Sequence, residues 1–187
     1  MAKKMSFSMG KAYQKRTGYN VMVLYWIVAN SWYDKRIRKI SKQGLSARKV
    51  SRETEGVSER VVWKTMDELV GMGYLEEEKT EYIVHSNLDG ESFVSIDLEL
   101  GKKLVKELPQ EAMKAYLFLA RRKKMGMQSF TLGDISSKAL GREYGNAFAY
   151  KKVHEALDLL AKKELVEYVT IPNGETYRKK LIWVKGV

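Results

Sequence analysis

The sequence contains no cysteine and only two prolines and two histidines among its 187 residues. Without cysteine there is no structural disulfide, no thiolate metal site and no cysteine nucleophile, which fits a reducing cytoplasm. The longest apolar run, residues 21–29, is much shorter than the roughly 20 residues of a membrane helix. Residues 1–10 are basic but lack the apolar core of a signal peptide. We therefore expect a folded, soluble, cytoplasmic protein without membrane contact.

The sequence also has little material for catalysis. His85 and His154 stand apart from any Ser and acid that could complete a triad, and no His-Glu-x-x-His helix occurs. The pairs Gly10-Lys11 and Gly101-Lys102 lack the other residues of a phosphate loop and are expected to be ordinary loop residues. We expect no enzymatic activity, no metal or other cofactor and no small-molecule substrate.

Positive charge is abundant and unevenly distributed. Residues 1–52 hold 13 Lys/Arg against 1 acid, residues 53–111 hold 6 against 15, and residues 112–187 hold 15 against 7. Two basic segments, of net charge +12 and +8, therefore flank an acidic one of −9 within a total of +11. This distribution favours a polyanionic partner such as nucleic acid. A cationic surface kept for solubility is the alternative.

Three helices followed by strands are predicted in the first half. Apolar residues at three- and four-residue steps predict a buried helix over residues 20–33. Ser46 and Ser58 have the character of N-caps for a second and a third helix. Alternation in residues 82–85 and 93–98 predicts two antiparallel strands joined by a turn.

The same order of elements is predicted in the second half. A helix runs into the basic cluster of residues 121–124, Thr131 caps a short helix, and Asn146 caps a longer one. Residues 165–171 and 176–184 then predict a hairpin. The order is therefore helix, helix, helix and hairpin in both halves.

The two halves overlay at an offset of 91 positions. The first-half residues that overlay are Val62, Met66, Leu69, Tyr74, Leu75 and Glu76, and their second-half counterparts are Val153, Leu157, Leu160, Leu165, Val166 and Glu167. This agreement predicts an internal repeat of one structural unit. A chance overlay of two amphipathic helices is the alternative.

Residues 46–78 resemble the core of a winged-helix domain. The segment LVGMGYL at residues 69–75 is similar to that family's exit from the third helix into the wing, and LAKKELV at residues 160–166 is a looser match because Glu164 replaces the usual glycine. The run from FVSIDLEL through EAMKAYLFLARRKK to TLGDISSKALG resembles winged-helix domains of replication initiators and of repressors or accessory proteins. Those proteins belong to Gram-positive plasmids, phages and conjugative elements.

The resemblance implies an α+β, mainly helical chain with two winged helix-turn-helix units in tandem, forming a pseudo-twofold internal dimer. We expect a basic flexible leader over residues 1–17, unit one over residues 18–98 and unit two over residues 99–187. The chain is then expected to bind specific double-stranded DNA as a monomer.

Three roles follow from this expectation. A transcriptional repressor or accessory regulator of a plasmid or conjugative element is favoured, because an initiator usually needs a further segment to recruit replication machinery and none follows Val187. A replication initiator that binds origin repeats and a winged-helix scaffold for protein interactions are the alternatives.

The resemblance also implies which residues contact DNA, because the third helix of a winged-helix unit enters the major groove. The expected major-groove residues are Ser58, Glu59, Arg60 and Lys64 in unit one, and Asn146, Tyr150, Lys151, Lys152 and Glu155 in unit two. The expected phosphate and wing contacts are Arg48, Lys49, Arg52, Lys138, Arg142, Asn173, Arg178, Lys179 and Lys180. Arg60 suits a guanine edge, Asn146 suits an adenine edge, and the lysines suit phosphates. An ordinary solvated face is the alternative for each residue.

Other basic and aromatic residues receive different interpretations. The first wing, residues 76–81, is too acidic for DNA and is expected to pack between the units, whereas the second wing, residues 173–180, is basic. The basic residues between positions 35 and 39 form a loop that contacts phosphates or is simply solvated. Helical spacing favours core packing for Tyr25, Trp26, Trp32, Tyr116 and Phe118. Packing is also favoured for Trp63.

Overall fold

The structure, a computed structural model, describes residues 4–14, 20–86, 88–142, 147–173 and 176–187. The chain divides into two compact units, residues 1–110 and 111–187. The described residues form helices and three small antiparallel sheets. A mixed helical and antiparallel-sheet class, as expected from the sequence, is therefore confirmed.

The first unit begins with a strand, alternates short helices and strands, and ends with a helix. Its elements are β1 (Lys4–Ser8), α1 (Lys11–Gln14), α2 (Asn20–Asn30), β2 (Trp32–Asp34), β3 (Ile37–Ser41), α3 (Ala47–Arg52), α4 (Glu59–Met72), β4 (Leu75–Glu77), β5 (Glu81–Val84), β6 (Phe93–Asp97) and α5 (Leu98–Glu107). Helix α2 is buried from Val21 to Ala29, as its continuous apolar run predicts. It ends at Asn30, three residues before the expected end, and the chain continues into strand β2.

The first unit contains a four-stranded sheet with the strand order β2-β3-β5-β4. Strand β5 is central and pairs antiparallel with both β3 and β4. The basic segment expected to be a loop therefore forms a hairpin of β2 and β3. The sequence pattern did not identify β3, because the segment is rich in cations and only Ile40 of the strand is fully buried.

Helices α3 and α4 follow the predicted caps. The Ser46 side chain accepts a hydrogen bond from the backbone N–H of Lys49, whereas Ser58 occupies the N-cap position without a side-chain cap bond. Val62, Met66 and Leu69 are buried, as their spacing predicts. The two helices pack against each other.

The N-terminal segment is part of the fold and not a flexible leader. Strand β1 pairs antiparallel with β6 over Lys4 to Ser8, and Met5 and Phe7 are completely buried. The Phe7 ring packs edge-on against Tyr25 at 4.6 Å between centroids. The expectation of a flexible leader was wrong over these residues because alternate apolar side chains of a short strand reach the core.

Strand β6 corrects a second expectation. Residues 82–85 and 93–98 were predicted to pair with each other, but β5 and β6 belong to different sheets. Strand β6 pairs with β1 instead. The alternating pattern identified both strands, but the choice of partner depended on a strand nearly 90 residues away.

Helix α5 was not predicted and lies beyond the expected boundary at residues 98 and 99. Asp97 caps it by accepting hydrogen bonds from the N–H groups of Glu99 and Leu100. Gly101 lies inside this helix and not in a loop. A side chain at Gly101 would meet Met5 and Phe7 at 3.1 Å, so the glycine allows α5 to approach β1.

The Glu91 carboxylate joins the N-terminal segment to the rest of the first unit through hydrogen bonds. Glu91 accepts hydrogen bonds from the hydroxyls of Ser8 (2.6 Å) and Tyr74 (2.7 Å) and from the N–H groups of Lys11 and Leu88. Burial alone would raise the pKa of Glu91, but these four hydrogen bonds outweigh burial and lower the pKa below its ordinary value of 4.5. The charged form therefore stabilises the fold.

We predict that the first unit loses stability in acid through Glu91. Because the folded-state pKa is lowered, the stabilisation is present above pH 4.5 and is lost as the pH falls through the folded-state pKa. Glu91→Gln should cost about 1–3 kcal/mol at neutral pH, because an amide cannot accept all four bonds, and should flatten the acid dependence. Urea unfolding at several pH values measures both effects, and the exposed Asp89→Asn is the control. An unchanged acid dependence in Glu91→Gln would contradict this role.

The second unit has the same order of elements without counterparts of β1, α1, β2, β6 and α5 among its described residues. Its elements are α6 (Gln110–Lys124), β7 (Ser129–Phe130), α7 (Leu132–Asp134) with a following π-helical turn (Ile135–Ala139), α8 (Ala147–Lys162), β8 (Val166–Asn173) and β9 (Thr176–Val184). Thr131 and Asp134 form a capping box at the predicted short helix. The predicted hairpin of β8 and β9 is confirmed.

Three strands of the four-stranded sheet, β3, β5 and β4, have the same order as the three strands of the second unit. In the second unit the order is β7-β9-β8, so the last strand is central, as β5 is between β3 and β4. Strands β4 and β8 begin at Leu75 and Val166, and their first residues pair with Val84 and Val184. The predicted 91-residue offset therefore holds for the third helix and the strand that follows it.

The exits from the two third helices are also alike. Gly73 ends α4 with φ of 85°, and Glu164 occupies the equivalent position after α8 with φ of 52°. The next residues, Tyr74 and Leu165, each donate a backbone hydrogen bond to the carbonyl of the residue five positions earlier. Glutamate thus adopts the left-handed conformation that glycine adopts in the first unit, at an expected cost of about 1–2 kcal/mol.

We predict that Glu164→Gly stabilises the second unit by about 1 kcal/mol, because glycine adopts positive φ without a Cβ clash. The thermal midpoint should rise by about 4–8 °C. Glu164→Ala removes the same carboxylate but retains a Cβ, so it should give no comparable gain. Equal midpoints for the two variants would contradict a backbone origin.

Candidate nucleic-acid interface

Helix α4 buries one side and exposes the other. Its buried residues are Val62, Thr65, Met66 and Leu69. The predicted residues Ser58, Glu59, Arg60 and Lys64 are all exposed. No carboxylate within the described ranges forms an ion pair with Arg60 or Lys64, so both cations are available to a ligand.

Trp63 lies on this exposed face, with 60% of its surface accessible. The expectation that it packs was wrong because it lies one position, or 100° of helix rotation, away from the inward residue Val62. Its spacing of three residues from Arg60 and one from Lys64 was the signal for the outward face. Trp32 was likewise expected in the core and is 42% exposed on strand β2. The other core aromatics, Tyr25, Trp26, Tyr116 and Phe118, are buried as expected.

Helix α3 places a second group of cations beside α4. Arg48, Lys49 and Arg52 are exposed. The Lys49 ammonium lies 5.7 Å from the ring centroid of Trp26, whose Nε1–H donates to Glu53. Arg48 and Arg52 form no ion pair with the acids that the structure describes.

The first wing is neutralised within its own sheet. Lys39 lies 3.1 Å from Glu81 and 3.5 Å from Glu78, and Lys42 forms an ion pair with Glu77. The hydrogen bond to Glu81 is the main reason that the pKa of Lys39 is raised. Lys39 of β3 and Lys42 after it therefore pair with Glu77, Glu78 and Glu81 of the first wing.

Helix α8 repeats the exposed cationic position of α4. Lys151, which is 91 positions after Arg60, is exposed and has no ion pair with a described acid. Lys152 is half-buried and lies 2.8 Å from Glu155. This bond raises the pKa of Lys152 and lowers that of Glu155, so the two side chains engage each other. Tyr150 is half-buried.

The structure does not describe the side chains of two predicted positions, Asn146 and Asn173. Asn146 lies outside the described residues, and for Asn173 only the backbone, at the end of β8, is described. An exposed aromatic that the sequence did not identify, Phe148, occupies the first turn of α8 and is 60% accessible. The guanidinium of Arg142 lies 5.4 Å from its ring.

The cations around the short helix of the second unit have acidic neighbours. Lys138 is exposed and lies 2.8 Å from Asp134, and Arg142 lies 3.8 Å from Glu111. Burial would raise the pKa of Asp134, but its bonds to Lys138 and Thr131 lower it. These two cations are therefore partly compensated within the unit.

On one face of the β8–β9 hairpin, the second wing presents two cations that have no ion pair with a described acid. Arg178 and Lys180 are exposed and pair in register with Ile171 and Val169. Lys179 points to the other face, where it donates to Thr170 (3.1 Å) and lies 4.7 Å from the Tyr168 ring. Of the three predicted wing cations, Arg178 and Lys180 are the ones available to a ligand.

Comparisons with protein families, with curated proteins and with solved structures found no match to this chain. Within the described ranges, no group of three or more His, Asp or Glu side chains could hold a metal ion. None of the helices in those ranges has both the length and the apolar character needed to cross a membrane.

We predict that Trp63→Ala changes the free energy of unfolding by no more than about 0.5 kcal/mol, because the side chain is exposed. Trp26→Ala should cost about 3–5 kcal/mol, because Trp26 is only 2% accessible. Urea unfolding compares the two variants. A cost for Trp63→Ala similar to that for Trp26→Ala would mean that the outward face of α4 is wrongly assigned.

Proposed function

We propose that this chain binds double-stranded DNA through two winged-helix units, with α4 and α8 as recognition helices. The proposal goes beyond the fold class and depends on three features of the described residues. These are the strand order, the placement of cations, and the absence of ion pairs at two equivalent helix positions.

The order of elements supports the winged-helix assignment. Each unit contains a helix, a strand, two helices and two further strands in that order, to which the first unit adds other elements. Of these three strands, the last one, β5 or β9, lies between the other two. A helix-turn-helix with a hairpin wing exposes its third helix, which fits the major groove. In each unit the described third helix is buried along one stripe and exposed on the opposite face.

The observation that carries the proposal is the pair Arg60 and Lys151. They occupy equivalent positions in the N-terminal halves of α4 and α8, and both are exposed without an ion-pairing acid in the described chain. An arginine at such a position can donate two hydrogen bonds to a guanine edge. Lys64, Arg48 and Arg52 would add phosphate contacts in the first unit.

The wings would contribute unequally. Lys39 and Lys42 balance the acids of the first wing, so this wing adds little attraction for phosphates. Arg178 and Lys180 extend from the second wing without compensation by described acids. We therefore propose that backbone contacts come from α3 in the first unit and from the wing in the second.

The role that we propose is occupancy of a regulatory site, as in a repressor or accessory regulator of a plasmid or conjugative element. This role rests on the sequence resemblance alone. One chain would supply both half-site contacts that dimeric regulators obtain from two subunits. Bound duplexes selected from a random pool would identify the site.

We predict that Arg60→Ala and Lys151→Ala each weaken binding of a selected duplex by about 1–3 kcal/mol. Their thermal midpoints should stay nearly unchanged, because both side chains are exposed. Binding is measured by fluorescence anisotropy at several salt concentrations, and each lost phosphate contact should reduce the salt slope by about one.

Lys162→Ala is the matched control, because it removes one charge from the C-terminal end of α8. It should weaken binding much less than Lys151→Ala. If all three variants bind equally well, or if the chain binds no duplex at any salt concentration, the proposed function is wrong.

A further inference from the structure

The β2–β3 hairpin has an unusual turn. Asp34 pairs with Ile37, so Lys35 and Arg36 form a two-residue connection. Both residues have positive φ, of 46° and 76°. Such turns favour Asn-Gly, because side chains with a Cβ are strained at positive φ. Backbone strain of this kind lowers local stability and is concentrated at functional sites in proteins.

The strained turn presents positive charge. The acid of the hairpin, Asp34, lies 3.8 Å from Lys39. Neither Lys35 nor Arg36 forms an ion pair with an acid in the part of the chain that the structure describes. Two cations are therefore available at the tip, where the preferred turn residues would carry none.

An aromatic ring is held in place beside these cations. Tyr33 is 65% accessible, and the Arg38 guanidinium lies 4.5 Å from its ring centroid and donates to its hydroxyl at 2.8 Å. Arg38 is itself anchored by hydrogen bonds to the Val28 carbonyl and to Ser31. Trp32 is exposed on the other face of this edge strand. The arrangement holds the Tyr33 ring in a fixed position at little further entropic cost on binding.

The hairpin tip lies away from the first wing. Strand β3 runs antiparallel to β5, with Ser41 opposite Glu81 and Lys39 opposite Ile83. The tip and the turn of the first wing, between β4 and β5, therefore lie at opposite ends of the sheet, about 13 Å apart along β3 at roughly 3.3 Å per residue. A groove of about 430 Å³ adjoins the tip, and its charged and aromatic lining residues are Tyr33, Arg36, Arg38, Glu76 and His85.

We infer that the β2–β3 hairpin is a binding site for single-stranded nucleic acid, separate from the duplex interface. Phosphates would pair with Lys35 and Arg36, and an unpaired base would stack on Tyr33. Stacking distinguishes single strands from duplexes, because the faces of paired bases are covered by their neighbours in the helix. The described part of the second unit has no counterpart of β2, so the site belongs to the first unit alone.

The full chain is tested by fluorescence anisotropy with a labelled single strand of mixed sequence, about 12 nucleotides long, since one site covers roughly 4–16 nucleotides. Lys35→Asn with Arg36→Gly creates the preferred turn and removes both charges. This double variant should lower the affinity for the single strand about ten-fold and raise the thermal midpoint. A loss of affinity that accompanies a gain of stability cannot result from unfolding.

Tyrosine variants test stacking separately from charge. Tyr33→Leu should lower the affinity for the single strand about five-fold or more, whereas Tyr33→Phe keeps the ring and should bind nearly as well as the wild type. Arg60→Ala with Lys64→Ala removes the same number of charges from α4. It should weaken duplex binding and leave single-strand binding nearly unchanged.

Four results would overturn the inference. Equal losses of single-strand affinity in the two charge-removing double variants would indicate a general charge effect. Equal affinities of Tyr33→Leu and Tyr33→Phe would exclude stacking. Competition by polyglutamate as strong as that by an unlabelled single strand would indicate an acidic protein partner. Failure of single-strand binding with duplex binding intact rejects this site alone, whereas loss of duplex binding rejects the proposed function.

Discussion

The one-sided burial of the third helix in each unit is the constraint on which the rest of the candidate interface depends. Val62, Met66 and Leu69 bury one stripe of α4, and the residues 91 positions later do the same in α8. A helix with a fixed inward stripe has a fixed outward face. The exposure of Arg60 and Lys151 therefore follows from the core packing of the opposite helix face.

The exit from each third helix joins that face to a sheet. A left-handed residue turns the chain from α4 into β4 and from α8 into β8, and the same backbone bond closes both turns. The second unit keeps this geometry with Glu164 although glycine is easier there. The helix exit is therefore imposed by the packing of helix and sheet, and local preference yields to it.

The two units differ most in how their charges are compensated. In the first, Lys39 of β3 and Lys42 after it pair with acids of the first wing, and cations without a described acidic partner remain on α3, on α4 and at the hairpin tip. In the second, Lys152 and Lys138 pair with nearby acids, and Lys151 and the cations of the second wing have no ion pair with an acid that the structure describes. The net charge of each segment predicted a polyanionic partner. The ion pairs within each unit now show which cations are already engaged and would be less available to such a partner.

Local spacing in the sequence was enough to identify the caps at Ser46 and Thr131, the inward residues of α4 and α8, and the β8–β9 hairpin, because these features depend on neighbours a few residues apart. Long-range pairing decided the rest. The partner of β6, the burial of β1, and the β2–β3 hairpin could not be read locally, since register and burial depend on strands distant in sequence. Trp63 lies between these cases: its position beside Val62 placed it near the core stripe, its spacing from Arg60 and Lys64 indicated the outward face, and the packed helix decided between the two. The sequence by itself thus determined the helices and strands that have a strong local pattern. The tertiary structure decided the short strands β1, β2 and β3, the partner of each strand and the ion pairing of the described cations, because these are set by contacts between distant parts of the chain.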